Sequence, residues 1–475
     1  MDGKSLNRKN KVNFVYDFKG PGGYIPFGYN KFTFSNLLLT KFDNLEDEPF
    51  TGYYPSLNLP YNLKFAYAAF SSYIIEHTPK TKAVLTCEIA DEIKKDEVYL
   101  IVLEALNVNN LFEYYGDNIV DFKDYFSPKL FELFKNNHNF KLAFIDSREG
   151  AYPHTNELLN KIYKFLDDNN ITHSNKIFIS TNNNFITNLE VNSKYKNFIK
   201  VFPNNNCLLI AGKFISEWKI YKDTNWDTNY ELGYSLQDEI HFNDRQKYYL
   251  MYNRNSERMH RPYFVNELYK NNLLDKGFVS FFESEDLDKF LNNSEEYLQL
   301  KLNKEDIFDI RDNYKNYTPL VIDSSNHNEI AEYHNFVSRK DEYENSYFTI
   351  VSETNAESDY CFITEKTVKP IMNLHPFVIN GNPHTLKVLK SYGFKTFDKW
   401  WDESYDDVFE YKERTKLVLE IVKGLCSKSK TEWNLLIKDM EETLIYNKRL
   451  LNKLWSSKTY QEEFLQQITK KDELL

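Results

Sequence analysis

Short apolar runs bounded by polar residues recur along the first 240 positions and alternate with stretches of helical spacing. Residues 83–87, 97–103, 141–145 and 176–180 read as strands. Unbroken apolar runs of this length suit strands covered on both faces. Residues 65–76, 126–136 and 156–168 instead place apolar side chains three and four apart, which marks one buried face of a helix. Strand and helix in alternation predict a parallel, doubly wound α/β sheet. Residues 1–60 carry scattered aromatics and turn formers and give no clear element order. Residues 219–244 are polar and weakly periodic, and the interdomain linker is placed there.

Beyond the linker the pattern restarts. Residues 247–252 (KYYLMY) read as a strand, 263–271 as a helix and 278–282 as a second strand. Residues 283–340 are charged and Asn-rich without clean periodicity, and read as an insertion. Residues 347–351 then form an apolar run that ends in Ser352-Glu353-Thr354. A helical pattern over 368–374 follows, then an apolar run over 376–379, a turn at Asn380-Gly381-Asn382-Pro383, and a helix over 385–392 closed by Gly393. Residues 411–426 and 432–454 have 3.6-residue spacing. A chain of 475 residues fits two or three domains. The expected boundaries are 1–240, 245–404 and 405–475, the last a set of helices returning to pack on the first domain.

Composition narrows the function classes. The formal net charge of −11 argues against a generally basic surface for nucleic acid. The four cysteines (Cys87, Cys207, Cys361 and Cys426) lie far apart without metal-ligand spacing, so reduced thiols in a cytoplasmic protein are expected. The charged N-terminus lacks the apolar core of a signal peptide. No apolar run approaches the roughly 18 residues needed to span a bilayer. There is no GxxxxGK[ST], no GxGxxG after a strand and no GxSxG. The carboxylate pairs Asp402-Glu403 and Asp406-Asp407 sit at the start of a helical region, where the helix dipole explains them without a metal. No metal or other cofactor is expected.

The candidate chemistry lies where strands end. Ligands of open α/β sheets sit beyond the carboxyl ends of the strands. Thr364-Glu365-Lys366 opens a helix there, and backbone N–H groups of a first helical turn favour an anion such as phosphate. The segment SETNAESDYCFITEKTVKPI followed by HPFVINGNP resembles the donor-nucleotide half of the α-1,3-fucosyltransferases, which have the GT-B fold. It is also similar to glycosyltransferase-like proteins of large viruses, phages and marine bacteria. The resemblance covers roughly residues 245–405. The interval from Glu353 to Glu365 is slightly longer than in the fucosyltransferases. The resemblance implies two Rossmann-like domains facing a cleft, with Glu365 holding a nucleotide ribose and Lys366 meeting the diphosphate.

Asn253-Arg254, Arg258 and Arg261 follow the 247–252 strand. Arginine forks can meet phosphate with paired hydrogen bonds, and charge gathers on a departing diphosphate. The same segment also reads as a solvated loop capping a helix, and Thr364 as a plain N-cap. Glu353 reads equally as a ligand for a sugar hydroxyl or as the cap of the next turn. Inverting sugar transfer needs a base for the acceptor hydroxyl. Glu149, beside Gly150 in the loop after the 141–145 strand, is the candidate, with Tyr152 and His154 as acceptor contacts. Each of these also reads as an ordinary surface residue. The expected activity is transfer of a sugar from a nucleotide-diphosphate sugar to a hydroxyl of a glycan, inverting and metal-independent. The alternatives are a catalytically inert protein of the same fold, serving in binding or structure in a virus particle, and a glycosyltransferase acting on DNA bases.

Overall fold

A computed structural model describes residues 11–16, 18–20, 23–25, 81–85, 89, 93–94, 97–104, 128–146, 155–174, 176–181, 191–203, 239–253, 258–281, 300–320, 322, 340–356, 361 and 363–456. Glu149, Tyr152, His154 and Arg254 lie outside them, as do the expected helix over 65–76 and most of the expected linker and insertion. The described chain forms two Rossmann-like α/β units.

The first unit holds a six-stranded parallel sheet. Its strands are β1 (Lys11–Tyr16), β4 (Thr81–Leu85), β5 (Glu97–Glu104), β6 (Phe140–Asp146), β7 (Ile177–Thr181) and β8 (Ile199–Pro203), in the order β4-β1-β5-β6-β7-β8. A separate two-stranded ribbon pairs β2 (Phe18–Gly20) with β3 (Gly23–Ile25). Helix α1 (Pro128–Asn136) buries Leu130, Phe131 and Phe134, and α2 (Thr155–Asp168) buries Leu159, Ile162, Phe165 and Leu166. The apolar stripes predicted from spacing are therefore the faces that cover the sheet. Lys176, fully buried just before β7, donates to the carbonyls of Phe134, Asn137 and Phe140 and so closes the end of α1.

The second unit holds a four-stranded parallel sheet of β9 (Lys247–Tyr252), β10 (Gly277–Ser280), β11 (Ser346–Ser352) and β12 (Phe377–Asn380), in the order β10-β9-β11-β12. All seven residues of β11 are buried, as expected for a strand covered on both faces. The connecting helices are α3 (His260–Lys270), α4 (Lys304–Tyr317), α5 (Lys340–Glu344), α6 (Glu365–Met372) and α7 (Thr385–Ser391). Helix α4 falls within the stretch expected to lack periodicity. It is polar but buries Ile307, Ile310, Tyr314 and Tyr317, and a reciprocal cap between Asn303 and Asp306 starts it.

The C-terminal helices α8 (Tyr411–Cys426) and α9 (Lys430–Ser456) belong to the core of the second unit. The reason is apolar complementarity. Trp433 of α9 lies flat against Tyr347 and Phe348 of β11, with ring centroids 5.1 and 5.5 Å away, and its Nε1–H donates to the Leu425 carbonyl at 2.9 Å. Val418, Leu419 and Val422 of α8 join the same core.

Candidate functional site

The strand order of the second unit marks where a ligand site is expected. The chain leaves β9 for β10 on one side, then crosses to β11 on the other, so the order reverses between β9 and β11. Ligands of open α/β sheets bind at such a reversal, outside the carboxyl ends of the strands. Here those ends carry Asn253 after β9, Ser352 and Glu353 on and after β11, and Asn380 on β12.

Glu353 is fully buried and its carboxylate is taken up by the protein. Oε1 accepts from the Thr364 amide at 3.2 Å and the Thr367 hydroxyl at 2.5 Å. Oε2 accepts from the Thr364 hydroxyl at 2.6 Å and the Thr354 amide at 3.3 Å. Four donors match the acceptor capacity of a carboxylate. Of the two readings of Glu353, sugar ligand or cap, these bonds fit the cap: it ties the end of β11 to the first turn of α6. Burial pushes its carboxyl above the usual range, opposed by Lys366 and the Thr364 and Thr367 hydroxyls. Gly381 completes the fit, because a Cβ there would stand 2.9 Å from the Glu353 Cβ.

Thr364 is the N-cap of α6, its side chain accepting from the Lys366 amide at 3.2 Å. The Lys366 ammonium bonds Glu365 Oε1 at 2.8 Å and the Thr354 hydroxyl at 3.2 Å. It keeps about a fifth of its side-chain surface exposed. Glu365 is buried; desolvation raises its carboxyl, but Lys366, Lys369 and the bond from Lys366 outweigh it and hold the group below its usual range. The Thr-Glu-Lys triplet thus forms an ordered cap with a cation at its rim.

From the facing helix, His260 and Arg261 both reach the carbonyl oxygen of Glu353. His260 Nε2 lies 2.9 Å away and an Arg261 guanidinium nitrogen 3.3 Å. Since a carbonyl only accepts, Nε2 carries the proton. Burial, then the charges of Arg261, Arg258 and Lys366, keep His260 neutral, its pKa well below the ordinary value. Arg261 is itself buried. It therefore supports the end of β11.

Two residues that sequence reasoning missed bind the loops together. Tyr411 donates its hydroxyl to the His260 carbonyl at 2.8 Å, and the Asn380 amide nitrogen approaches the same hydroxyl at 3.5 Å. Arg414, almost fully buried, donates to the carbonyls of Gly381 (3.0 Å), Val408 (2.6 Å), Phe409 (3.1 Å) and Ala356. It fastens the turns after β11 and β12 to the start of α8. The pattern offered only one hint, a charge among apolar positions of a helix. Asp406 accepts from the Leu386 and Lys387 amides, both at 3.0 Å, and so caps α7.

Among the described residues no group of three or more His, Cys, Asp or Glu is placed to hold a metal ion. No described helix is long and apolar enough to cross a membrane.

No protein-family model matches the chain, and no curated protein matches it. Among solved structures it is similar to an α,α-trehalose-phosphate synthase (UDP-forming) from Burkholderia xenovorans in complex with glucose-6-phosphate. That match has 9% identity and a TM-score of 0.34, over 79% of this chain and 74% of the other. A trehalose-6-phosphate synthase matches at 10% identity and a TM-score of 0.35, over 97% and 99% of the two chains. Likenesses at this level carry no argument, and the α/β assignment rests on the sheets themselves.

Proposed function

We propose that this chain is a GT-B glycosyltransferase that takes its sugar from a nucleotide-diphosphate donor. One observation carries the reading: at the point where the second sheet reverses its strand order, the first turn of α6 presents Lys366 beside the buried Glu353–Thr364–Thr367 knot. A fixed cation over a helix N-terminus suits a diphosphate, whose negative charge grows as the glycosidic bond breaks. Lys366 would meet the diphosphate, with Arg254 and Arg258 as further cations, and Glu365 would hold the ribose. Glu353, Thr364, His260 and Arg261 position that end of the sheet. Acceptor chemistry falls to Glu149 as general base, with Tyr152 and His154 as contacts, by inversion, without a metal, and on a glycan hydroxyl.

The test is thermal unfolding of the purified chain against GDP, UDP, CMP and dTDP and their sugar conjugates, with and without a chelator. A ligand at 100 times its dissociation constant adds about 2.7 kcal/mol, or roughly 5–10 °C for a domain of this size. One nucleotide series raising the midpoint, chelator or not, is expected. A flat panel would favour the catalytically inert alternative.

A further inference from the structure

Beside the charged rim lies a buried group of uncharged polar side chains. β11 and β12 pair with Ser352 opposite Asn380, and β9 pairs with β11 with Leu250 opposite Thr349. Continuing the second offset by three residues brings Asn253 level with Ser352. Ser352 and Asn380 are paired in register and Asn253 directly follows the end of β9, so the three stand at the carboxyl edge of three neighbouring strands, Asn253 by extension of the pairing that ends at Leu250 and Thr349. At about 4.8 Å per strand the row spans about 10 Å. Residues in register on parallel strands share a face of the sheet. The Asn380 amide nitrogen points to Tyr411, which bonds the first residue of α3, so the face is the one toward that helix.

All three side chains are at most 1% exposed. Yet both amide atoms of Asn253, the hydroxyl oxygen of Ser352 and the amide oxygen of Asn380 have no hydrogen-bond partner. Buried polar groups are nearly always bonded, and each exception calls for a cause. The unbonded hydroxyls of Tyr317 and Tyr343, by contrast, sit on helices. This row places three such side chains at the sheet edge where ligands bind.

The chemistry of the row selects its ligand. It offers N–H donors on Asn253, acceptors on Asn253 and Asn380, and a hydroxyl on Ser352 that can do either. It carries no charge of its own, which disfavours phosphate. A group that both donates and accepts at neighbouring positions fits best. We infer that Asn253, Ser352 and Asn380 form a subsite for an uncharged ring bearing adjacent hydroxyls. That ring is either the glycosyl unit or the ribose of the donor, an identity that rests on the function proposed above. The uncharged ring and the diphosphate are thus received by separate sets of groups, the row and the Lys366 rim. Because the row is covered, entry of a ring requires the cover to open.

Saturation-transfer NMR on the whole chain tests this with uncharged probes: free glucose, galactose, mannose and fucose in one arm, uridine and guanosine in the other. Hexose signals assign the row to the glycosyl unit, and ribose signals from the nucleosides assign it to the ribose. Either is expected to fall at least fivefold in Asn253→Leu and in Ser352→Ala, and to be insensitive to salt because no charge is met. Both variants should melt at or above the wild-type temperature, since they remove atoms that bond nothing. No signal from either arm, or signals undiminished in both variants, would overturn the inference. So would a lower melting temperature in both, which would mean that these atoms are satisfied within the protein. Sugars binding while every nucleoside diphosphate fails would remove the glycosyltransferase reading and leave the subsite standing. Diphosphate binding with silent uncharged probes would do the reverse.

Discussion

Replacing Glu353 with glutamine changes one oxygen to NH2 and almost nothing else, so it isolates what the carboxylate does. Every group around that carboxylate is a donor: two backbone amides and two threonine hydroxyls. The hydroxyls can rotate to accept from an NH2, but the amides cannot. Placed at Oε1, the new NH2 faces the Thr364 amide; placed at Oε2, it faces the Thr354 amide. Either way one buried N–H loses its partner, at a cost of about 1–3 kcal/mol. Glutamine also removes a buried charge, which burial disfavours, so the net lies toward the lower half of that range. At roughly 2–4 °C per kcal/mol for a unit of this size, Glu353→Gln is expected to melt about 3–6 °C lower. Thermal unfolding followed by circular dichroism reads this directly. A double-mutant cycle with Thr367→Val should show a coupling above about 0.5 kcal/mol, because the two side chains share a bond. A glutamine variant that melts within 1 °C of the wild type, with no coupling, would refute the claim that this carboxylate is saturated from within the protein.

Three further outcomes follow from buried groups of the second unit. His375 accepts from the Thr349 hydroxyl at Nδ1 and donates from Nε2 to the Ser346 carbonyl; burial, then the charge of Arg245, lower its pKa to about 3. The unfolded chain takes up this proton near the usual value of about 6.5. Stability from this group is therefore full above pH 6.5 and falls as the pH drops toward 3. Urea titrations between pH 7 and 5 should show a loss of about 1–2 kcal/mol that His375→Asn reduces. Trp433→Ala removes a fully buried ring stacked on two aromatics, and chemical denaturation should register a loss of about 3–5 kcal/mol. Arg414→Lys keeps the charge but cannot span four carbonyls with one ammonium. It should cost about 2–3 kcal/mol and speed amide exchange in residues 381–384 and 408–410, as read by hydrogen-exchange mass spectrometry.

The strands that could be read from the sequence were those buried on both faces, such as β11, where solvation leaves no alternation to misread. Two strands of the six-stranded sheet, β1 and β8, are not legible because polar residues interrupt them. β1 buries Asn13, whose amide nitrogen donates to Glu97 at 2.8 Å, and β8 carries Lys200. Only the pairing across strands makes these residues compatible with a sheet. Helix α4 was hidden because half of its buried face is tyrosine, although Asn303 and Asp306 had the spacing of a reciprocal cap. At the candidate site, position was legible and role was not. Thr364 and Lys366 stand at a helix start and Asn253 and Glu353 at strand ends, as their flanking patterns imply. That Glu353 binds its own chain depends on Thr364 and Thr367 folding back over it, which no local pattern encodes. Arg414 acts on turns up to 58 residues away in sequence, through backbone carbonyls that every residue possesses.

The most direct test of the account is calorimetric titration of the wild type and Lys366→Ala with the nucleoside diphosphate that stabilises the chain. Loss of a charge-assisted bond of about 1.5–3 kcal/mol predicts an affinity weakened roughly 10- to 150-fold. The wild-type affinity should fall with added salt, and that of the variant less steeply. Equal affinities for the two proteins, with equal salt dependence, would contradict the placement of the diphosphate at the first turn of α6.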